Sequence, residues 1–156
     1  PLIACSTSAS LSTLPMTSFK AAVNFCFSQW FCSRVSTHPG KKNRNSFKEK
    51  AADFINSDLL KNADVKSWDI IFKAIADTSF DSKPIIVIDE FQYIGKANPS
   101  FPSIFQRIWE ELLKNKPTMV ILCGSLISMM EPQTLAYNSP LYGRRTAQIR
   151  LKKITL

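Results

Sequence analysis

The chain has little glycine, and what it has is not arranged to bind phosphate. Its 156 residues include four glycines, Gly40, Gly95, Gly124 and Gly143. A phosphate-binding loop of the form G-x-x-x-x-G-K-[ST] needs two glycines at a fixed spacing, followed by lysine and a hydroxyl residue. None of the four fits this pattern. The nearest approach, Gly40 with the two lysines after it, has no earlier glycine and no Ser or Thr, so we interpret it as a basic turn.

Paired cysteines and long apolar runs are also absent. The four cysteines form no C-x-x-C pair, and the single histidine, His38, lies in a polar stretch. Structural zinc sites need such pairs, so metal-thiolate chemistry is disfavoured. Unpaired thiols suit a reducing compartment. A secretory signal would require basic residues near its start, and none precedes Lys20. No apolar run is long enough to cross a bilayer. We therefore expect a cytoplasmic protein without membrane contact.

Positive charge is concentrated at the two ends of the chain. The net charge is +8, and residues 1–52 contain only one acidic residue, Glu49. After Glu131 there are no acids and five bases, Arg144, Arg145, Arg150, Lys152 and Lys153. A basic balance can indicate binding to nucleic acid or to a membrane surface. Contact with the phosphates of a nucleotide, or a solvated surface, explains the basic ends equally well.

The most informative segment is an apolar run that ends in two acids. Ile85 to Ile88 predict a strand buried on both faces of a parallel sheet, and Asp89 and Glu90 follow at its carboxyl end. Open α/β sheets bind ligands at that edge. Asp89 could hold Mg²⁺, directly or through a water, and Glu90 could orient or deprotonate a water that attacks ATP. This is the Walker B pattern of P-loop ATPases. The alternative is a core strand whose acids merely face solvent.

Helical and strand-like segments surround this strand. Ser46 and Ser67 are predicted N-caps of helices before it, and Ser103 of a helix after it. Residues 118–123 predict a second buried strand, followed by a short helix, and residues 147–151 predict a third strand near an edge. A strand, a helix and a further strand in this order indicate an α/β fold. Residues 1–42 show no clear element beyond a possible helix over residues 19–32.

Two further groups of side chains could take part in chemistry. Ser125 follows the second buried strand, so its hydroxyl could reach the attacking water or the γ-phosphate, or could instead cap the next helix. Arg144 and Arg145 precede the third strand, where a guanidinium could neutralise transition-state charge, within the chain or across a subunit boundary. Solvated arginines are the alternative. In an ATPase the stretch 91–102, which includes Gln92, could transmit the state of the bound nucleotide, but we interpret it as a polar loop without a chemical role.

The segments DEFQY, LCGS with its MM, and SPLYGRR occur in that order, and together they resemble the archaeal-type ATPase family. These are P-loop ATPases related to the AAA and STAND groups, and the likeness runs from about Asn43 to Leu156. It implies a three-layer, P-loop NTPase-like parallel sheet flanked by helices, which binds and hydrolyses ATP with Mg²⁺. It also implies Walker B roles for Asp89 and Glu90, a sensor role for Ser125, and a phosphate-sensing or subunit-sensing role for Arg144 or Arg145.

The likeness fails at the front of the chain. Family members begin with a strand, a glycine-rich loop and a helix, and residues 1–42 show none of these. We therefore expect an atypical segment at 1–42, either out of frame or divergent, and a partial P-loop ATPase domain at 43–156 that is truncated on its N-terminal side. Without the phosphate cradle, the chain should bind ATP weakly or not at all. The alternative is a degenerate, non-catalytic module that binds nucleic acid or a protein partner, and self-association is a further expectation.

Overall fold

A parallel sheet of five strands organises the molecule. The computed structural model describes residues 2–7, 30–34 and 40–151. The strands pair in the order β2-β3-β4-β1-β5, and every neighbouring pair is parallel. Their bounds are Leu2–Thr7 for β1, Trp30–Arg34 for β2, Ile85–Asp89 for β3, Met119–Gly124 for β4 and Ala147–Leu151 for β5. The prediction of an α/β fold with a parallel sheet and flanking helices is confirmed, and β5 lies at an edge as expected.

Six α-helices are present in the described ranges. They are α1 Gly40–Phe54, α2 Asp58–Asn62, α3 Trp68–Asp77, α4 Gln92–Ala97, α5 Phe101–Ile108 and α6 Ile127–Met130. π-helical turns at Trp109–Leu113 and Glu131–Leu135 extend α5 and α6, and a 3₁₀ turn at Tyr142–Arg144 precedes β5. None of these helices combines the length and apolarity that a bilayer crossing requires.

Helix starts agree with the sequence prediction at one serine and differ at two. The Ser67 hydroxyl accepts a hydrogen bond from the Asp69 amide at 3.2 Å and caps α3, as predicted. Ser46 lies inside α1, which begins at Gly40, so its prediction as a cap is wrong. Ser103 lies inside α5, which begins at Phe101 with Pro102 in its first turn. Proline has no N–H to leave unpaired there and suits the start of a helix, which explains the earlier beginning.

Two of the five strands come from the segment in which no strand was predicted. β1 lies between β4 and β5, and β2 pairs with β3. The expectation that residues 1–42 contain no strand is therefore wrong. The helix predicted over residues 19–32 is wrong where it overlaps β2, and its earlier part lies outside the described residues. Both strands are short and are held by backbone pairing with distant neighbours, which local periodicity does not reveal.

The core against one side of the sheet is built largely from aromatic rings. Nine rings form a connected network with centroid separations of 4.9–6.0 Å: Phe31, Phe47, Phe54, Trp68, Phe72, Phe80, Phe91, Phe101 and Phe105. Such pairs contribute about 0.5–1.5 kcal/mol each beyond the burial of their area. Phe91 follows the two acids directly and is fully buried in this network. The core therefore anchors the chain immediately after the predicted site.

Candidate functional site

The two acids lie at the carboxyl edge of the sheet in an unusual backbone turn. Asp89 ends β3 and is 6% exposed, whereas Glu90 is half-buried. The Glu90 amide donates to Oδ1 of Asp89 at 3.0 Å. Glu90 has a φ of 59°, in the left-handed region that residues with a β-carbon disfavour. The next amide, of Phe91, donates to the Cys123 carbonyl at 2.9 Å, so the turn is tied to β4.

Ser125 joins the end of β4 to this turn. β3 and β4 are neighbours, with Ile88 level with Leu122. The Ser125 hydroxyl donates to Oε2 of Glu90 at 2.9 Å. The N-cap position of α6 is Leu126, with no side-chain capping bond, so Ser125 does not act as the helix cap that the sequence left open. The structure thus brings Asp89, Glu90 and Ser125 together at one edge.

Gln92 is a member of this cluster that the sequence interpretation missed. Its side chain is fully buried, and Nε2 donates to Oε2 of Glu90 at 2.5 Å and lies 3.4 Å from Oγ of Ser125. Gln92 begins α4, so the prediction of a plain polar loop is wrong at this residue. The only signal in the sequence is a glutamine between Phe91 and Ile94, both of which prove to be core residues. That signal does not reveal where the amide points.

The space around Gln92 depends on a glycine. A β-carbon on Gly124 would collide with Oε1 of Gln92 and with the side chain of Met130. The main-chain carbonyl of Gln92 accepts a hydrogen bond from Nε2 of Gln133 at 3.1 Å. Gln92 is therefore held through its backbone on one side and confined by the end of β4 on the other.

The two candidate arginines lie away from the acids. Ala147 at the start of β5 is level with Ile3 in β1, which is level with Ile121 in β4. Ile121 precedes Ser125 by four residues, or roughly 13 Å along the strand direction at about 3.3 Å per residue. Because the arginines come before Ala147, they lie toward the amino ends of the strands, opposite the end at which the acids lie. The structure does not bring them to the acids of the same chain.

The arginines have other partners there. Nη2 and Nε of Arg144 contact Oε1 of Glu110 at 2.6 and 2.7 Å. The hydrogen bond from Arg144 holds the pKa of the Glu110 carboxyl below its ordinary value. The Arg145 guanidinium lies 4.6 Å from the centre of the Tyr142 ring, in a cation–π contact. Of the other bases after Glu131, Lys152 and Lys153 lie outside the described residues.

The donor atoms at the carboxyl edge are oxygens of the kind that Mg²⁺ prefers. Asp89 and Glu90 supply carboxylates, and Ser125 supplies a hydroxyl. The part of the chain that the structure describes holds no group of three or more His, Cys, Asp or Glu residues able to hold a metal. Mg²⁺ in ATP sites is commonly held by one or two carboxylates together with the phosphates. The donor set therefore fits a metal that arrives with a nucleotide.

Comparison with known proteins places most of the chain in one family. Residues 17–155 match the ATPase domain found predominantly in Archaea. An uncharacterised protein of Methanocaldococcus jannaschii is 43% identical over 89 residues, which are 57% of this chain and 19% of that protein. A second uncharacterised protein of the same organism is 36% identical over 84 residues, covering 54% of this chain and 81% of the relative.

Two solved structures share the fold. A Walker-type ATPase of Pyrococcus abyssi matches with a TM-score of 0.65 and 17% identity, over 99% of this chain and 49% of that one. The ORC2 protein of Aeropyrum pernix, in complexes with ADPNP and ADP, matches with a TM-score of 0.59 and 13% identity, over 97% of this chain and 41% of that one. This chain thus spans half or less of each structure, and at these identities the likeness concerns the fold, which is that of the P-loop ATPases. The match over residues 17–155 shows that the chain belongs to the family of ATPase domains that occur predominantly in Archaea.

Proposed function

We propose that this domain binds ATP and hydrolyses it at the carboxyl edge of the sheet. The observation that carries the proposal is the 2.9 Å hydrogen bond between Ser125 and Glu90, residues 35 apart in sequence. It joins the ends of two neighbouring strands at the edge where α/β sheets bind ligands. Membership of an ATPase family supports the same nucleotide.

Each side chain at this edge has a different role in the proposed hydrolysis. Glu90 orients the attacking water and accepts its proton, as the Walker B glutamate does. Ser125 acts as the sensor: its hydroxyl donates to Glu90, so its oxygen can accept a hydrogen bond from the attacking water beside the γ-phosphate. Asp89 would hold Mg²⁺, directly or through a water. When bound, Mg²⁺ supplies positive charge against the phosphate oxygens.

Arg144 and Arg145 take part only through a neighbouring subunit in this proposal. Their distance from Glu90 along the strands is too great for a contact with the nucleotide of the same chain. A guanidinium at a subunit boundary can neutralise transition-state charge in the adjoining site. Self-association of the chain is therefore part of the proposed function, and release of Arg144 from Glu110 would accompany it.

Affinity for ATP is expected to be low. β1 holds a central place in the sheet, beside β4, but no glycine occurs in the sequence before Gly40. A glycine-rich loop normally lets successive backbone amides approach the phosphates closely. Without it, fewer amides contact the triphosphate, so activity should be sought at millimolar ATP.

Mg²⁺-dependent phosphate release at millimolar ATP tests the proposal. Glu90→Gln keeps the size of the side chain but removes the base, so turnover should fall by roughly 100-fold or more. ATP affinity should change little. Glu49→Gln, an identical change at an exposed position in α1, is the matched control and should leave turnover unaltered. Equal hydrolysis by the Glu90 and Glu49 variants would remove Glu90 from the mechanism.

A second function is a non-catalytic module that binds nucleic acid or a protein partner. The observation that favours it is the missing glycine-rich loop in a chain of net charge +8. Binding of DNA that weakens steeply with salt and ignores nucleotide would support it. The bonded cluster of Glu90, Gln92 and Ser125 argues for hydrolysis instead, because it gathers a carboxylate and two donors at the edge where α/β sheets bind ligands.

A further inference from the structure

We infer that Gln92 is a positioning residue for Glu90. Its buried amide fixes one carboxylate oxygen, Oε2, so that the other oxygen, Oε1, is presented to the attacking water. This inference rests on the proposed function, because it names the group that orients the proposed base. It concerns a residue that acts through Glu90 rather than on the nucleotide itself.

The first support is the convergence of two donors on a single oxygen. Gln92 donates to Oε2 of Glu90 from the start of α4, and Ser125 donates to the same atom from the end of β4. Within the described residues, no hydrogen bond is made to Oε1. The terminal torsion of a glutamate is broad when nothing restrains it. Two donors from different elements restrain that torsion and leave the lone pairs of Oε1 available.

The second support is that burial by itself does not explain why residue 92 is a glutamine rather than an apolar residue. Gln92 is fully buried, and its Oε1 has no hydrogen-bond partner. A buried polar atom without a partner is unfavourable, and a leucine would fill a similar volume without that penalty. The contacts that leucine could not make are the one to Glu90 and the longer one to Ser125. Reversing the amide would set its oxygen against the carboxylate, two acceptors facing each other, so the orientation follows from the charge of Glu90.

The third support is that Gln92 is rigidly placed. Gln133 donates to its main-chain carbonyl at 3.1 Å, and the absence of a side chain on Gly124 leaves room for its oxygen. Phe91, which precedes Gln92, and Ile94, two residues after it, are buried in the hydrophobic core. A residue held in this way can transmit a fixed geometry to the carboxylate.

Kinetics of Gln92→Leu test the inference. The change removes the amide at nearly constant size, so kcat for ATP should fall roughly 10–100-fold, the range seen when supporting partners of a site are removed. KM should stay within about twofold, because Gln92 does not touch the nucleotide in this proposal. Thr134→Val is the control, since it also deletes a buried hydrogen bond, from Thr134 to the Met130 carbonyl, outside the cluster. It should leave both constants unaltered.

A second measurement does not depend on activity. In the ¹⁵N-labelled chain, the side-chain NH₂ signals of Gln92 are identified by their loss in Gln92→Leu. Glu90→Gln should shift them strongly, since a charged acceptor is replaced by a neutral one. Should Gln92→Leu fail to fold, the same signals can be assigned by through-bond experiments. Signals that Glu90→Gln does not move would overturn the inference.

The outcomes separate the inference from the function on which it rests. If the unaltered chain hydrolyses ATP and Gln92→Leu does so at the same kcat, the inference alone is overturned. If the unaltered chain hydrolyses no ATP at millimolar Mg²⁺-ATP, the proposed function falls, and the inference with it. A lower kcat at constant KM, together with the NMR shift, supports both.

Discussion

Glycine in place of Glu90 should make the chain more stable than alanine in the same place. At an ordinary helical or extended position the reverse holds, because glycine loses more backbone freedom on folding. Glu90 is different because its φ is 59°. A β-carbon is crowded by the following carbonyl oxygen in this conformation, and glycine has no β-carbon.

The expected difference follows from two opposing terms. The left-handed conformation destabilises a residue with a β-carbon by about 1–2 kcal/mol. Glycine loses about 0.5–1 kcal/mol more than alanine in backbone entropy. The net advantage of glycine is therefore about 0–1.5 kcal/mol, with a middle value of about 0.75 kcal/mol. Both substitutions remove the same carboxylate and its bonds to Gln92 and Ser125, so that loss cancels in the comparison.

Urea unfolding of Glu90→Gly and Glu90→Ala measures this difference, provided the two m-values agree. The matched control is Lys50→Gly against Lys50→Ala, at an exposed position inside α1 where φ is not positive. There alanine should be the more stable by about 1 kcal/mol. If alanine is also the more stable at position 90, the left-handed turn after β3 is refuted.

Two further changes test one contact beside the site and one at the opposite end of the sheet. Gly124→Ala should destabilise the fold by about 1–3 kcal/mol in urea unfolding, because the new methyl group displaces Gln92. Gly143→Ala is the control and should be nearly neutral, since nothing lies within 4 Å of a β-carbon there. Arg144→Gln should raise the pKa of Glu110 toward its ordinary value in an NMR titration, because the hydrogen bond that lowers it is lost. Since the folded pKa of Glu110 is lowered, the Arg144–Glu110 pair stabilises the fold at pH values above the ordinary pKa of glutamate. This contribution is lost as the pH falls through the lowered pKa. The variant and the parent should therefore differ in stability at neutral pH and converge in strong acid.

Features that follow from neighbouring residues were predictable from the sequence. The apolar run of β3 and the acids after it lie next to each other in the chain, so their placement at a strand end needed only a continuous apolar run of strand length, which is typical of a strand buried on both faces. The Ser67 cap and the edge strand β5 are local in the same sense. Ser125 was predicted at the correct end of the sheet, because the carboxyl ends of parallel strands lie together.

Features that depend on contacts between distant segments were not predictable. β1 and β2 are defined by hydrogen bonds to strands more than 50 residues away, as in the pairing of Trp30 with Ile85. Gln92 could be assigned to the cluster only from the structure, because its contact with Glu90 depends on the turn after β3, where Glu90 has a φ of 59°. The pairing of Arg144 with Glu110 likewise joins residues 34 apart.

The sequence by itself determined which groups are available: two adjacent carboxylates at the end of a buried strand, a serine at the end of another, and no glycine-rich loop. Only the tertiary structure decided which of them meet. It set β3 beside β4, so that Ser125 and Gln92 both donate to Glu90, and it set the arginines toward the amino ends of the strands. The physical reason is that strand order and the direction of a turn depend on hydrogen bonds and packing between remote parts of the chain, whereas residue order records only what is adjacent along it.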